Sequence, residues 1–465
     1  MTVIRPNSIS GVSSITGQGG DISIFRADGT AADVFVNNIT SGVITATTFK
    51  GAVEGSGANL TNLPAANITG TLPAIDGSNL TGVGVGTDGS LNTSGIITAT
   101  AFVPTTQGSL SHRNMIINGD QRIAQRGTAA VTVDGNAGYR CVDRFKTDID
   151  GTGHGDFSHA QSTDVPSGQG FKFSSKLTVV TQASQRSDAG TFHQFYTMLE
   201  HQDMIHLEWG TANAKPTTLS FWVKSSVTGT YNLWMDYYAS SDQKRYHTTY
   251  TINSANTWEK KIILITGPTS GGQSTNTNGI GFRLEWLMGA SSVYETGTLN
   301  QWHDASETFR TAAGSVYFCE NAGATWYMTG VQFEEGNVAT PYEFRSFAEE
   351  FARCQRYYQQ YVNISAVGYV PDNNARSYSH GFFFPVAMRA APSLSITNTG
   401  SSNGQQISDG DTNRYIASTL SQGSKTTHMS VSFNLSGDLA NFRGAYLIGT
   451  SSTGNQTTYK IEAEL

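Results

Sequence analysis

The middle of the chain alternates between apolar and polar residues with the two-residue period of a half-buried strand. The alternation is strict over residues 219–224 and again over residues 231–238. The residues between them are rich in Ser, Thr and Gly, and they predict a hairpin that pairs the two strands. Further strands are predicted at residues 258–265, 282–288, 316–319 and 327–333. Several short strands separated by turns, without a helical period, predict a two-sheet jelly-roll β-sandwich over residues 113–345.

The region that follows the sandwich opens with one predicted helix, over residues 346–361. Ser346 and Glu349 form a capping box at its start. Apolar residues then recur in alternating four- and three-residue steps, at Phe347, Phe351, Cys354, Tyr358 and Tyr361. This seam would face either the sandwich or other copies in a bundle, and we favour the sandwich because one short seam is weak evidence for a coiled coil. Residues 362–465 are again rich in Ser, Thr, Asn and Gly, and they predict a small C-terminal β domain.

Residues 41–112 repeat themselves and have few apolar residues with which to build a core. Residues 41–49 return with small changes as residues 94–102, and Asn-(Leu/Ile)-Thr and Leu-Pro-Ala recur between the two copies. Ordering the backbone costs roughly 1–2 kcal/mol per residue, which one or two aliphatic residues per unit do not offset. We therefore expect several identical chains to share one core in an elongated shaft, with a flexible linker as the alternative. The shared core would be formed by Leu60, Leu63, Ile68, Leu72, Ile75 and Leu80.

The composition changes abruptly where this repetitive region ends. The first 112 residues contain four Phe and no Trp or Tyr, whereas all seven Trp lie between residues 209 and 326. The formal charge is -7 and no basic run occurs, which argues against nucleic acid as a partner. The N-terminus has no apolar signal-peptide core and no stretch reaches membrane-span length, so we expect no membrane insertion. Three widely spaced cysteines predict buried apolar packing rather than a disulfide framework or a zinc site: Cys141, Cys319 and Cys354.

Several motifs resemble those of bacteriophage tail fibre proteins. Residues 114–127, Asn-Met-Ile-Ile-Asn-Gly-Asp-Gln-Arg-Ile-Ala-Gln-Arg-Gly, resemble the opening of the globular domain in many such fibres. The close of that domain and the start of the terminal domain are similar to residues 329–336, 339–343, 354–358 and 384–392. Residues 57–65, Gly-Ala-Asn-Leu-Thr-Asn-Leu-Pro-Ala, resemble the shafts of fibres from phages that infect marine cyanobacteria.

The resemblance implies a virion fibre, typically a homotrimer, that is assembled in the host cytoplasm. Residues 1–40 would attach the fibre to a tail, baseplate or adaptor protein, the shaft would span residues 41–112, and the distal domains would adsorb to host surface polysaccharide. The alternatives are a purely structural collar or whisker fibre that contacts virion proteins and, less favoured, a capsule depolymerase. We expect no enzyme, because the sequence has no HExxH, GxSxG or phosphate-loop motif.

The two alternating strands indicate where a sugar would bind. One phase of the alternation holds Trp222, Lys224, Trp234, Asp236 and Tyr238, opposite to the apolar phase of Leu219, Phe221, Val223, Leu233 and Met235. If the strands pair as a hairpin, aromatic rings and a carboxylate meet on one surface, which is the composition of a carbohydrate-binding platform. The alternative is that both Trp pack in the core or under a loop. In the C-terminal domain the candidates are Tyr369, Tyr378, His380 and Tyr415.

Carbohydrate-binding jelly rolls of the kind that the resemblance implies often hold a structural calcium ion. Asn118, Asp120 and Glu334 lie in the corresponding segments, and oxygen ligands suit that hard cation. Ordinary turn carboxylates are the alternative, and no other cofactor is expected. The Gly-rich stretch that contains His154, Asp156 and His159 is interpreted as a solvated loop.

Overall fold

The computed structural model describes the sandwich and much of the chain that follows it. The described residues are 28–30, 112–133, 135–150, 155–183, 192–240, 242–273, 277–291, 294, 298–304, 310–362, 367–369, 377–397, 406–408, 410–411, 413–435, 444–448 and 457–465. Most of the predicted attachment segment, residues 1–40, lies outside these ranges. So do the six predicted shaft-core residues, Leu60, Leu63, Ile68, Leu72, Ile75 and Leu80. The chain divides into two compact units, Met1–Thr98 and Ala99–Leu465, and every element below belongs to the second.

Thirteen strands form the sandwich and confirm the mainly β fold class. Their bounds are β1 Val131–Val133, β2 Gly138–Tyr139, β3 Phe145–Asp150, β4 Asp156–Ser162, β5 Ser174–Thr181, β6 Phe192–Glu200, β7 Thr217–Ser225, β8 Gly229–Tyr237, β9 Lys244–Ile252, β10 Glu259–Ile265, β11 Ile280–Ala290, β12 Trp302–Asp304 and β13 Thr325–Glu335. A six-stranded sheet has the order β1-β4-β5-β13-β7-β10, and a seven-stranded sheet has the order β12-β9-β8-β11-β6-β3-β2. The chain crosses repeatedly between these antiparallel sheets, as in a jelly roll.

The inner faces of the two sheets share one apolar core. Phe221 of β7 contacts Trp286 of β11 edge-on, with ring centroids 5.5 Å apart, and Trp326 of β13 contacts Phe195 of β6 at 5.7 Å. Each pair joins the six-stranded sheet to the seven-stranded one. Trp209, Trp286 and Trp326 lie in this core, where large rings fill the interior between the sheets. The three cysteines are buried and free, as predicted.

The structure confirms five of the six strands predicted from the sequence, as β7, β8, β10, β11 and β13. The prediction for residues 316–319 is wrong, because Phe318–Glu320 form a 3-10 turn. Tyr317, Phe318 and Cys319 are all buried in succession. A strand with one buried face would expose the middle residue of such a run, whereas a helical turn at the end of the core can bury all three.

The predicted hairpin is wrong, although both of its strands exist. β7 pairs with β10 and β13, whereas β8 pairs with β9 and β11, so the two strands belong to opposite sheets. Their apolar phases still point into the core, since Phe221 and Leu233 are both fully buried. Placing the strands in facing sheets lets these two apolar phases pack against each other. A hairpin within one sheet would have placed them side by side.

One helix, α1, runs from Phe347 to Gln355 and packs on the sandwich. Its N-cap is confirmed, because the Ser346 hydroxyl accepts a hydrogen bond of 3.2 Å from the backbone N–H of Glu349. Phe351 and Cys354 pack against apolar side chains of the segment that leads into the sandwich, as favoured from the sequence. In the described part of the chain, no helix has the length and apolar character needed to cross a membrane.

The predicted continuation of the helix to residue 361 is wrong. Tyr358 and Tyr361 lie on a strand, β14, that spans Tyr358–Val362 and pairs with the chain's last strand, β22 (Thr458–Glu462). The capping box specifies only where a helix begins. Its end here is set by a strand about a hundred residues away in sequence, which no local pattern reveals.

The C-terminal region is strand-rich, as predicted. Its other strands are β15 Val367–Tyr369, β16 Ser377–Phe383, β17 Ser393–Ile396, β18 Gln406–Ser408, β19 Asn413–Ser424, β20 His428–Leu435 and β21 Gly444–Ile448. Strands β14, β22 and β17 form a three-stranded sheet, and β15-β16-β20-β19-β18-β21 close into a barrel. Met429, Phe433, Tyr459 and Ile461 contribute to a core separate from that of the sandwich.

A buried ion cluster ties β22 to the sandwich. The side chain of Arg144 is 1% exposed and pairs with Glu464, which also lies 3.1 Å from Arg126. The Arg144 guanidinium stacks 3.4 Å from the ring centroid of Tyr357 and donates a 2.8 Å hydrogen bond to the carbonyl of Met198. We call Arg126, Arg144 and Glu464 the arginine clasp. The clasp brings together β6, the segment after α1 and the residues that follow β22.

We predict that Glu464→Gln lowers the free energy of unfolding by about 3 kcal/mol, because it leaves a buried guanidinium without its countercharge. Urea denaturation of the full chain measures this change. The matched control is Glu349→Gln, which removes a half-exposed ion pair with Arg353 on α1 and should cost less than about 0.5 kcal/mol. Equal effects of the two substitutions would contradict the role given to the clasp.

Candidate functional site

A cleft of about 430 Å³ lies on the outer face of the six-stranded sheet. Strand β7 forms its floor: Phe221 faces the core, so its neighbours Ser220 and Trp222 point outward. The volume falls within the range of small-molecule sites. The cleft is lined by Gly168, Gln169, Phe171, Ser220, Trp222, Lys260, Gly330, Ala339, Thr340, Pro341, Tyr342 and Phe344.

Aromatic rings form one side of the cleft. Tyr342 contacts Phe171 and Phe344 edge-on, with centroids 5.1 Å and 4.8 Å apart, and Phe344 is 52% exposed. Gly330 interrupts β13 with a φ of +64°, and a Cβ at this position would lie 2.5 Å from the Phe171 ring. The glycine therefore lets the ring lie directly against the strand. With half-buried Trp222, these rings give the cleft an accessible aromatic surface.

Buried polar groups fix the wall that carries Tyr342 and Phe344. The carboxylate of Glu334 accepts hydrogen bonds from the Thr340 backbone N–H at 2.9 Å and from the Thr340 hydroxyl at 2.6 Å. Gln332 donates to Glu334 at 2.9 Å and accepts from the backbone N–H of Glu343 at 2.8 Å. Gln332 and Glu334, two residues apart on β13, thus hold the wall at Thr340 and at Glu343.

The three residues predicted to bind calcium have other partners. Both carboxylate oxygens of Glu334 hold the cleft wall, as described above. The Asn118 side chain donates to the carbonyls of Ile123 and Asp143 and accepts from the backbone N–H of Ile123, each at 2.9 Å. Asp120 pairs with Arg122 at 3.1 Å. The oxygen atoms of Asn118 and Glu334 are therefore engaged by the protein, whereas Asp120 Oδ1 is buried and has no hydrogen-bond partner among the described residues. Calcium binding by this set stays a prediction.

No other metal site emerges from the described residues, among which no group of three or more His, Cys, Asp or Glu side chains is placed to hold a metal ion. The segments that the resemblance names do carry buried oxygen atoms, and most of these atoms accept hydrogen bonds or pair with cations of the protein itself. Buried polar atoms require such partners whether or not a metal is bound.

Next to the cleft along β7, the ammonium group of Lys224 lies over two aromatic rings. Lys224 lies two residues after Trp222 on the same face, with its ammonium 4.4 Å from the Tyr327 ring centroid and 5.4 Å from that of Trp258. Asp164 pairs with Lys224 and accepts a 3.0 Å hydrogen bond from the indole N–H of Trp258. Asp164 thereby fixes both the cation and the indole at this end of the surface.

The other half of the predicted platform lies on the opposite side of the sandwich. Trp234 is only 2% exposed, and the Arg310 guanidinium lies 5.3 Å from the centroid of its ring. Asp236 pairs with Arg245 at 3.2 Å, and Tyr238 is half-buried just beyond the end of β8. The five residues do not form one surface, because the hairpin that would have joined them does not exist. Trp222 and Lys224 remain together beside the cleft.

The remaining sequence candidates are divided between the barrel and the sandwich. Tyr369 lies on β15, Tyr378 and His380 on β16, and Tyr415 on β19. His154 lies outside the described residues, whereas Asp156 and His159 lie on β4. The solvated-loop interpretation is wrong for His159, which is fully buried, with Nε2 3.1 Å from the Ser175 hydroxyl. Burial lowers the pKa of this imidazole to about 3.

Phe171, Tyr342 and Phe344 are not predicted as site residues by any pattern in the sequence. None of them lies on an alternating strand, so the two-residue period carried no information about them. The only local signal was an aromatic-rich segment directly after β13, which the resemblance grouped with the close of the domain. Lys260 is not predicted either. It lies on the exposed face of β10, and its backbone is directly opposite that of Trp222.

The comparisons with known proteins assign no family. No protein-family model and no curated protein matches this chain. Among solved structures, it is similar to the enzymatically active domain of bacteriophage CBA120 tailspike protein 4, with 12% identity and a TM-score of 0.25 over 48% of this chain and 21% of that one. This chain thus spans about a fifth of the tailspike domain's length.

Two further solved structures match over their whole lengths. One is a putative sugar binding protein from Bacteroides thetaiotaomicron, with 9% identity and a TM-score of 0.26, covering 48% of this chain and 100% of that one. The other is TmCBM61 in complex with β-1,4-galactotriose, with 9% identity and a TM-score of 0.23, covering 48% and 99%. At these identities and TM-scores, none of the three structures assigns a function to this chain.

We predict that the free energy of unfolding depends on pH because Asp120 ionises less readily in the folded state than in the unfolded chain. Burial raises the pKa of its carboxyl from the ordinary 3.8 to about 6, so the folded state binds this proton more tightly than the unfolded chain does. The free energy of unfolding should therefore fall as the pH rises from about 4 to about 6, by on the order of 3 kcal/mol from this group. Urea titrations at pH 4 and pH 6.5 measure the change.

The variant Asp120→Asn should remove that part of the decline, because it cannot ionise. Glu320→Gln, at an exposed carboxylate, is the control and should follow the wild type. A decline of unaltered size in Asp120→Asn would show that Asp120 ionises in the folded state as it does in the unfolded chain.

Proposed function

We propose that this chain is a subunit of a bacteriophage fibre whose β-sandwich binds a cell-surface glycan in the cleft beside Trp222. The observation that carries the proposal is the cleft itself, in which accessible aromatic rings lie beside amide, hydroxyl and ammonium groups. Aromatic faces provide apolar area for the C–H face of a pyranose, and the polar groups can bond its hydroxyls. Such a cleft suits a sugar better than a purely apolar ligand.

The same cleft favours binding over hydrolysis. A glycosidase of the common type needs two carboxylates about 5–10 Å apart around the scissile bond. None of the residues that line the cleft is Asp or Glu. We therefore propose adsorption without cleavage at this site.

The fibre assignment is supported by the motifs at residues 114–127, 329–336 and 384–392, which resemble tail fibre proteins. In the sandwich, the first of these motifs has a structural role: the Asn118 side chain closes the turn to Ile123 and reaches the carbonyl of Asp143. We propose that the repeats at residues 41–112 form a homotrimeric shaft around a shared core. Each trimer would then present three copies of the cleft to the glycan on the host surface.

A second candidate function is a structural collar or whisker fibre that contacts virion proteins. The observation that favours it lies on β10, the edge strand of the six-stranded sheet, where Ile262 and Leu264 are 52% and 56% exposed. An open strand edge with exposed aliphatic residues can pair with another chain. Loss of virion incorporation in Leu264→Lys, with glycan binding retained, would support this second function.

We predict that Trp222→Ala weakens glycan binding about tenfold, because it removes the largest ring from the cleft floor. A glycan array with the full chain, followed by calorimetry on the best ligand, measures the loss. Phe347→Ala is the control, since Phe347 is an exposed aromatic residue on α1 outside the cleft, and it should bind as the wild type does. Undiminished binding by folded Trp222→Ala would exclude the cleft as the glycan site.

We also predict that the full chain is a trimer in solution, with three times the 49.9 kDa mass of one chain. Light scattering coupled to size exclusion measures the mass. Replacing Leu60 and Leu63 together by Asp should dissociate the trimer, because charges would be buried around the proposed shared axis. A monomeric wild type would refute the shared shaft and leave the cleft unaffected.

A further inference from the structure

Lys260 is the lysine that lines the cleft, and its charge is not used by an ion pair of the described residues. Four other lysines of this domain each pair with a carboxylate: Lys215 with Glu335, Lys224 with Asp164, Lys244 with Asp304 and Lys261 with Glu259. No such ion pair within the described residues includes Lys260, which is exposed at the cleft. Its ammonium is therefore available to a ligand.

The charge of the cleft follows from this one side chain. Of the twelve residues that line the cleft, only Lys260 is charged. The whole chain carries a formal charge of -7, so the cleft is positive within an acidic protein. Since salt screens charges beyond about 8 Å under physiological conditions, a bound anion would respond mainly to the nearby ammonium.

The position of Lys260 relative to Trp222 places its ammonium group beside a sugar ring that stacks on the indole. The two residues are direct cross-strand partners in the pairing of β10 with β7. Directly opposed residues have Cβ atoms roughly 4.5–5.5 Å apart and share one face of the sheet. A sugar ring stacked on the indole would therefore lie beside the ammonium group, within reach of a charged substituent on the same ring.

Lys224, which the sequence analysis singled out, is less suited to this role. Its ammonium already pairs with Asp164 and lies over the Tyr327 ring, and its side chain is 11% exposed. A ligand anion would have to displace Asp164 before it could bind there. Lys260 needs no such displacement.

We propose that the cleft selects an acidic glycan, in which an oxyanion substituent of the sugar pairs with Lys260 while the ring stacks on Trp222. This inference rests on the proposed glycan-binding function and adds the class of sugar. Lys260 is the specificity-determining residue, and Trp222 supplies affinity for acidic and neutral rings alike. Carboxylate and phosphate substituents would both satisfy the ammonium, so the experiment has an arm for each.

The test is an array of bacterial surface polysaccharides probed with the full chain. Each uronate-containing member is paired with its carboxyl-reduced form, and each phosphate-containing member with its dephosphorylated form. The variants are Lys260→Gln, Lys260→Arg and Trp222→Ala, and the control is Lys425→Gln at an exposed lysine of the C-terminal region. Circular dichroism establishes that each variant is folded.

We expect the wild type to bind an acidic member about fivefold to tenfold more tightly than its neutralised partner, as for one partly exposed charged contact. Lys260→Gln should abolish this preference, Lys260→Arg should retain it, and added salt should reduce it. Lys425→Gln should behave as the wild type does. Whether reduction or dephosphorylation removes the preference identifies the anion.

Two outcomes would overturn the inference, and they are distinguishable. If binding depends on Trp222 but acidic and neutral partners bind equally, with Lys260→Gln unaffected, the glycan cleft stands and the acidic selectivity is wrong. If the wild type binds no member, or binds independently of Trp222, the proposed function fails and the inference fails with it.

Discussion

The Glu464 carboxylate lies between two guanidinium groups, and the packing of three parts of the molecule depends on it. Removing a guanidinium from water costs several kcal/mol, which is offset only when its countercharge and hydrogen-bond acceptors are all in place. For Arg144 the countercharge is Glu464, two residues after β22, the acceptor is the Met198 carbonyl on β6, and the Tyr357 ring after α1 stacks on the guanidinium. The sandwich, the helix and the C-terminal strand must therefore assemble together, and α1 is a packed element of one body.

The candidate cleft is held by a separate set of contacts. The cleft wall belongs to the segment between β13 and α1, whose two ends are fixed by the sheet and by the helix. Glu334 and Gln332 hold the wall from β13, and Glu343 accepts a 2.9 Å hydrogen bond from the Asn114 backbone N–H in the segment that leads into the sandwich. Tyr342 and Phe344 are thus presented on a wall whose geometry is set before any ligand arrives. A preformed site avoids the entropic cost of ordering loops on binding.

Local patterns in the sequence predicted the strands well, because a two-residue period directly reports one buried face. They also placed Trp222 in the phase opposite to the apolar one, although core packing of both Trp stayed open as the alternative. They failed wherever the outcome depends on distant residues: the sheet to which β8 belongs, the strand that ends α1, and the carbonyl partners of Asn118. His159 and Arg144 show the same limit, since their burial depends on Ser175 and Glu464. The sequence around a polar side chain does not reveal whether the folded protein supplies a hydrogen-bond or ion-pair partner from a distant segment.

The central claim is that the clasp makes the sandwich and the C-terminal strand one cooperative unit. Native-state hydrogen exchange of the full chain, followed by mass spectrometry at increasing urea concentrations, tests it most directly. We expect amides of β13 (Thr325–Glu335) and of β22 (Thr458–Glu462) to exchange through one global opening with the same free energy. Exchange of β22 through a smaller opening, while β13 stays protected, would contradict the claim.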